Sequence, residues 1–142
     1  MEIFGTNGVC MMKMFPEVIL KAIPHKNHRY TTCGDYFKKG KTWYILVSKM
    51  KAEYVFLVMI HELVEWFLTQ RRGVKVKDID AFDIMFEKER EDGKWNDEEP
   101  GDDIRSPYFG EHSFATVIEK MCCEKLRLDW NEYEEAILKL FK

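Results

Sequence analysis

No apolar run in the chain is long enough to cross a bilayer. The longest, Tyr54–Ile60, falls well short of the ~20 residues a spanning helix needs. The N-terminus lacks a basic stretch followed by a long apolar segment, the pattern of a secretory leader. Cysteine is scarce: Cys10, Cys33, Cys122 and Cys123 are the whole set. None forms a C-x-x-C pair, which excludes zinc-ribbon and thioredoxin-type motifs. Adjacent cysteines on a helix rarely bridge each other, so free, buried thiols in a reducing cytoplasm are the expectation. The chain also lacks an excess of positive charge, its formal net charge being -3. Its basic residues are scattered over strand-like segments and, apart from Tyr36 and Phe37 beside Lys38 and Lys39, are not interleaved with aromatics. That excludes a stacking platform for single-stranded nucleic acid. No helical segment has the basic polar face of a membrane-surface helix. Internal repeats and low-complexity stretches are absent.

What remains is the composition of a folded protein: 142 residues, 46% hydrophobic and 14% aromatic, enough for one core and far from the profile of a disordered chain. A single domain over 1–142 is the expectation. Charge is divided along it. Residues 1–77 carry 13 Lys and Arg against 6 Asp and Glu, and residues 78–142 carry 9 against 19. Attraction between the two halves across the fold explains this most simply; an acidic surface for a cation or a basic partner is the other reading.

Residues 1–50 read mainly as strands. Glu17–Pro24, His28–Cys33 and Gly40–Lys49 carry β-formers, Gly34–Lys41 reads as strand or turn, and short connections favour antiparallel pairing. The period then changes. Lys51–Gly73 has no proline or internal glycine, ends in Arg71 and Arg72, and meets Gly73 as a stop. Val76–Asp92 follows with Asp78 as candidate cap and an Ile79–Phe82–Phe86 stripe. Gly93–Tyr108 holds too many breakers for an element and reads as a polar loop. Phe109–Asp129 and Trp130–Lys142 complete the helices, with Asp129 capping the last and Tyr133, Ile137, Leu140 and Phe141 facing inward. The fold class is therefore α+β: a small N-terminal antiparallel sheet followed by about four helices, the first packed on the sheet.

The chemistry concentrates in "VMIHELVEW", Val58–Trp66. His61 and Glu65 are four apart and project from one helix face, so they can hold one ion. Glu62 lies about 100° around the helix from His61, near such an ion without binding it. This is the geometry of a His-Glu-x-x-His zinc helix whose Glu is the general base, with Glu65 in place of the second His. A carboxylate ligand widens the choice of metal beyond zinc to manganese or iron, and a carboxylate-rich phosphohydrolase site would take magnesium or manganese. On the second helix Asp80, Asp83 and Glu87 form an acidic stripe. On the third, His112 and Glu119 are seven apart with the small Ala115 between them.

Each has a plainer explanation: a hydrogen-bonded core histidine for His61, salt bridges for Glu62 and Glu65, a solvated helix face for Asp80 and Glu87, a loop contact for His112. Together they read differently, because a buried carboxylate costs several kcal/mol without a partner. The expected ligands are His61, Glu65, Asp83 and His112, with Glu62 as base and Asp80, Glu87 and Glu119 around them.

In combination, the motifs "WYILVS", "IHELVEWFL", "IDAFDIMFE", "EPGDD", "SPY" and "EH" over Trp43–Tyr133 resemble a family of small, uncharacterised bacterial and phage proteins. The resemblance implies the element order and the same polar residues, and no reaction. Thr42–Trp66 is also loosely similar to the zincin metalloproteases, departing from them at Glu65 and in having no downstream ligand motif.

Two functions fit. One is a metal-dependent hydrolase, with a phosphohydrolase variant built on Glu62, Glu65, Asp80 and Asp83, and with the acidic Asp97–Asp103 loop gating the site. The other is a non-catalytic phage or bacterial protein that binds a host protein. Its His/Glu cluster would be structural, Trp95 its interface anchor, and the Lys38, Lys39 and Lys41 turn and the acidic loop its charged contacts.

Overall fold

The computed structural model describes residues 2–4, 10–12 and 14–142, the first two segments as backbone only. Strand β1 (Glu2–Phe4) pairs antiparallel with β2 (Cys10–Met12). Strands β3 (Glu17–Ile23), β4 (Gly34–Lys39) and β5 (Thr42–Ser48) form a second sheet in the order β3-β5-β4. Four helices follow: α1 (Ala52–Arg72), α2 (Val76–Glu91), α3 (Phe109–Lys125) and α4 (Trp130–Leu140). Among the described residues no helix is long and apolar enough to cross a membrane.

The three-stranded sheet is mixed, where antiparallel pairing was expected. β4 and β5 form the antiparallel hairpin, but β3 runs parallel to β5, Glu17 opposite Thr42 and Ile23 opposite Ser48. The cause is the segment between β3 and β4. Pro24 ends β3, a 3-10 turn follows at His25–Asn27, and the chain crosses the end of β5 before β4 begins. His28–Cys33, expected as a strand, is this crossing. Its side chains serve as anchors: the Ser48 hydroxyl sits 2.8 Å from His25 Nδ1 and 2.9 Å from His28 Nε2, and Arg29 donates to Asp35 and Asp80.

β5 places Trp43, Ile45 and Val47 on one buried face, at the period of two a strand dictates. Against that face lies α1. Its buried residues, Tyr54, Leu57, Val58, His61, Glu65, Trp66, Thr69 and Gln70, recur at three- and four-residue spacing along one stripe. The apolar core falls into two clusters. One gathers Val47, Tyr54, Leu57, Val58, Cys123, Tyr133 and Ile137. The other gathers Tyr36, Trp43, Ile45, Trp66, Ile79 and Tyr108. On α1 the first ends at Val58 and the second resumes at Trp66, so His61 and Glu65 stand between them.

Helix ends agree with the cap chemistry at two points. Gly73 closes α1 with φ 78°, and Asp129 accepts from the Glu132 amide at 3.0 Å to open α4. Asp78 caps nothing: α2 starts after Lys75, and Asp78 lies in its first turn. Within the polar loop, Pro100–Asp102 forms a 3-10 turn where no element was expected. The divided charge is spent partly on bridges between the halves, Arg29 to Asp80 at 2.9 Å and Arg72 to Glu111 at 2.5 Å.

Asp83 fastens α2 to the rest. Its carboxyl accepts from Tyr30 at 2.8 Å and Tyr108 at 2.5 Å. Burial outweighs these two bonds and lifts its pKa to about 7. An unfolded Asp titrates near ~3.9. Between that value and about 7 the folded chain holds a proton the unfolded chain has lost, so folding stability falls as pH rises through the window. Denaturant titrations at its two ends should show that decline, and Asp83→Asn should remove about 1–3 kcal/mol of it.

Candidate metal centre

α1 and α3 pack against each other, and Ala115 on α3 is wholly buried. His61 and Glu65 come from α1, His112 from the first turns of α3. His61 Nε2 lies 3.0 Å from Glu65 Oε2, His112 Nδ1 lies 3.1 Å from the same oxygen, and the two ring nitrogens are 3.1 Å apart. All three residues are buried. The donor atoms make a nearly equilateral triangle. His61, Glu65 and His112 would hold one ion through these three atoms, a donor set of two imidazole nitrogens and one carboxylate oxygen that suits zinc. The structure thus contains a buried His/carboxylate cluster able to coordinate a metal ion.

Each group of the triangle is held from behind. His61 turns Nδ1 to Glu119 Oε1 at 2.7 Å, and Tyr133 donates to the other Glu119 oxygen. His112 turns Nε2 to Asp102 Oδ1 at 3.1 Å and Glu99 Oε2 at 3.3 Å. Glu65 Oε1 accepts from Tyr36 at 3.0 Å, leaving Oε2 for the triangle. In the neutral rings, the tautomer whose outer nitrogens donate to these carboxylates leaves lone pairs on the inner ones. That is the arrangement in which histidine serves a metal.

Burial opposes charge on His61, but hydrogen bonds to Glu119 and Glu65 outweigh it and hold its pKa well above the ordinary value. For His112 burial is likewise outweighed, by Asp102, Glu65 and Glu99. Burial would raise the Glu65 pKa, but bonds from His112 and His61 bring it down to about 2. Protons alone fit the triangle poorly. Two charged rings set N–H against N–H, two neutral rings set lone pair against lone pair, and one shared proton satisfies at most two of the three contacts. A single cation satisfies all three.

The triangle opens on a cavity of about 870 Å³. Glu62 lines it, and its side chain lies over the α1-facing side of Gly34, where an added Cβ would come within 2.6 Å of Oε1. Among the described residues no side chain or amide hydrogen-bonds this carboxyl. Burial first, then the charge of Glu65, push its pKa well above the carboxylate range.

The structure does not bring all the expected groups together. Asp83 is bound to Tyr30 and Tyr108, outside the triangle. Asp80 pairs with Arg29, and Glu87 with Arg90 at 2.9 Å. Glu119 backs His61. Trp95 is stacked on Phe86 at 4.8 Å and donates to Glu89, so it is folded onto α2 and is no free anchor. The acidic loop lies over the site through Glu99 and Asp102. Sequence reasoning missed Tyr36, Tyr133, Asp102 and Glu99 as supports. Tyr133 was expected inward and the loop was expected near the site, but their partners sit up to 29 residues away. Gly101 was also missed. It lies flat on the His112 ring, where a Cβ would fall 2.3 Å from Cγ.

Searches of protein-family profiles, curated proteins and solved structures find no match to the chain, so the reading of the site rests on its geometry.

Gly101→Ala must shift the His112 ring or the loop, at a cost of about 1–3 kcal/mol. Gly110→Ala, with nothing within 4 Å of the new Cβ, should cost nothing. Thermal melts of the two variants check the contrast.

Proposed function

We propose that the protein binds one divalent metal ion through His61, Glu65 and His112 and uses it to hydrolyse a substrate, with Glu62 as general base. The convergence of three ligand atoms, each imidazole backed by a carboxylate, is the observation that carries this reading. Two nitrogens and one oxygen suit zinc, with manganese next; two imidazoles are a poor set for magnesium. A catalytic zinc site keeps three protein ligands and an open fourth position, and the three residues that would hold the ion all line the cavity.

A divalent ion there supplies a Lewis acid that acidifies bound water. Glu62 is placed to take the proton. It lines the cavity one residue from a ligand, is free of hydrogen bonds among the described residues, and has a pKa raised by burial and by the charge of Glu65, the direction that makes a carboxylate a stronger base. Asp102 and Glu119 hold the rings, and Tyr36 holds Glu65 to one oxygen. The phosphohydrolase variant loses support, since Asp80 and Asp83 are committed to Arg29 and to two tyrosines. The free thiols of Cys33, Cys122 and Cys123 fit a reducing cytoplasm.

Elemental analysis of protein purified without added metal tests the site. About one zinc or manganese per chain is expected, lost in His61→Ala and in His112→Ala and retained in Glu62→Gln. No metal, with a melting temperature unmoved by chelator, would overturn the reading. Turnover of ester and amide panels by the loaded protein, abolished in Glu62→Gln, makes the ion catalytic. A loaded protein that cleaves nothing while chelation lowers its melting temperature makes it a structural clamp between α1 and α3.

A further inference from the structure

The outward stripe of α1 is apolar between its ends. Phe56, Ile60, Val64 and Phe67 recur at three- and four-residue steps away from the buried stripe. Phe56 is 47% exposed and Phe67 37%. The surface continues onto α3, where Phe114, Val117 and Met121 are each more than half exposed. Phe114 joins Leu63, Val64, Phe67 and Leu68 in lining one apolar groove, so the two helices present a single face. β2 packs on α1 as well, and these side chains stay exposed with it in place. A contiguous apolar surface on a folded chain marks a contact.

The ends of the stripe indicate the partner. Glu53 opens it and Arg71 closes it, both exposed. They are 18 residues apart, five whole turns at 3.6 residues each, so they project in the same direction about 27 Å from one another. Each charge also suits the α1 dipole, but that requires no common direction. Among the described residues neither side chain has an ion-pair partner. A negative end, an apolar middle and a positive end make a strip that complements itself when turned end for end. Laid antiparallel on a copy of itself, it sets Glu53 against Arg71 at both ends and Ile60 against Val64 near the centre. Phe56 then falls opposite Phe67 and Leu68, where the groove lies.

We propose that this face is the interface of a two-fold symmetric dimer, a second copy of the chain being the partner, with the two α1 helices packed antiparallel. His61 and Glu65 belong to the buried stripe of α1, so pairing leaves the metal triangle in place and the dimer does not depend on the hydrolase reading.

Sedimentation equilibrium of the full chain, from micromolar to near-millimolar concentration, tests it. Twice the chain mass is expected at the upper end, and Phe56→Asp should stay a monomer. Glu53→Arg and Arg71→Glu each place like charges at both ends and should weaken the dimer about tenfold. The double variant should recover the original strength, and an equimolar mixture of the two single variants should form a mixed dimer in preference to either alone. Both charged positions are exposed, so thermal melts of the monomers should match the parent. A chain that stays monomeric throughout overturns the proposal, whether the face is then open or covered by residues 1–13 of the same chain. So does a dimer that ignores the single charge swaps or is not restored by the double one.

Discussion

Glu65 Oε2, His61 Nε2 and His112 Nδ1 occupy a space smaller than their hydrogen-bonding needs, 3.0 to 3.1 Å from one another and out of water. The rest of the structure is arranged around that crowding. Burying a carboxylate and two ionisable rings costs several kcal/mol unless they are mutually satisfied. The fold meets the cost by giving each a second partner: Tyr36 for Glu65, Glu119 for His61, Asp102 and Glu99 for His112. Those partners come from β4, α3 and the 3-10 turn after α2, so the cluster draws distant parts of the chain onto one point.

The apolar core is built to allow this. It is divided on α1, with Leu57 and Val58 on one side of the polar pair and Trp66 on the other. Each cluster excludes water from one flank of the triangle, which strengthens the interactions inside it. Close backbone approach does the remaining positioning. Gly101 lies on the His112 ring and Gly34 beneath the Glu62 carboxyl, and no larger residue fits either place unchanged. One glycine orients His112 and the other Glu62, so the cluster and the carboxyl beside it are positioned by different segments.

What the amino-acid order reveals follows from the range of each interaction. α1 was legible almost to the residue, because its three- and four-residue pattern, its terminal arginines and Gly73 are local. His61 and Glu65 share a face for the same reason. His112 and Glu119 stood out through Ala115 between them. The parallel pairing of β3 with β5 was not legible, since it depends on His25 and His28 reaching Ser48 some 20 residues on. Asp83 looked like a ligand because its stripe resembles one. It went instead to two tyrosines, Tyr30 and Tyr108, that only tertiary packing brings beside it. Tyr36 and Asp102 carry no local mark of their roles.

X-ray absorption at the metal edge of the zinc-loaded protein bears most directly on the central claim that this crowding is a metal site. The expected shell is two imidazole nitrogens and one carboxylate oxygen at about 2.0–2.1 Å, with one further light atom in the open position. A shell of oxygens alone, or one containing sulfur from Cys33, would place the ion elsewhere and contradict the claim.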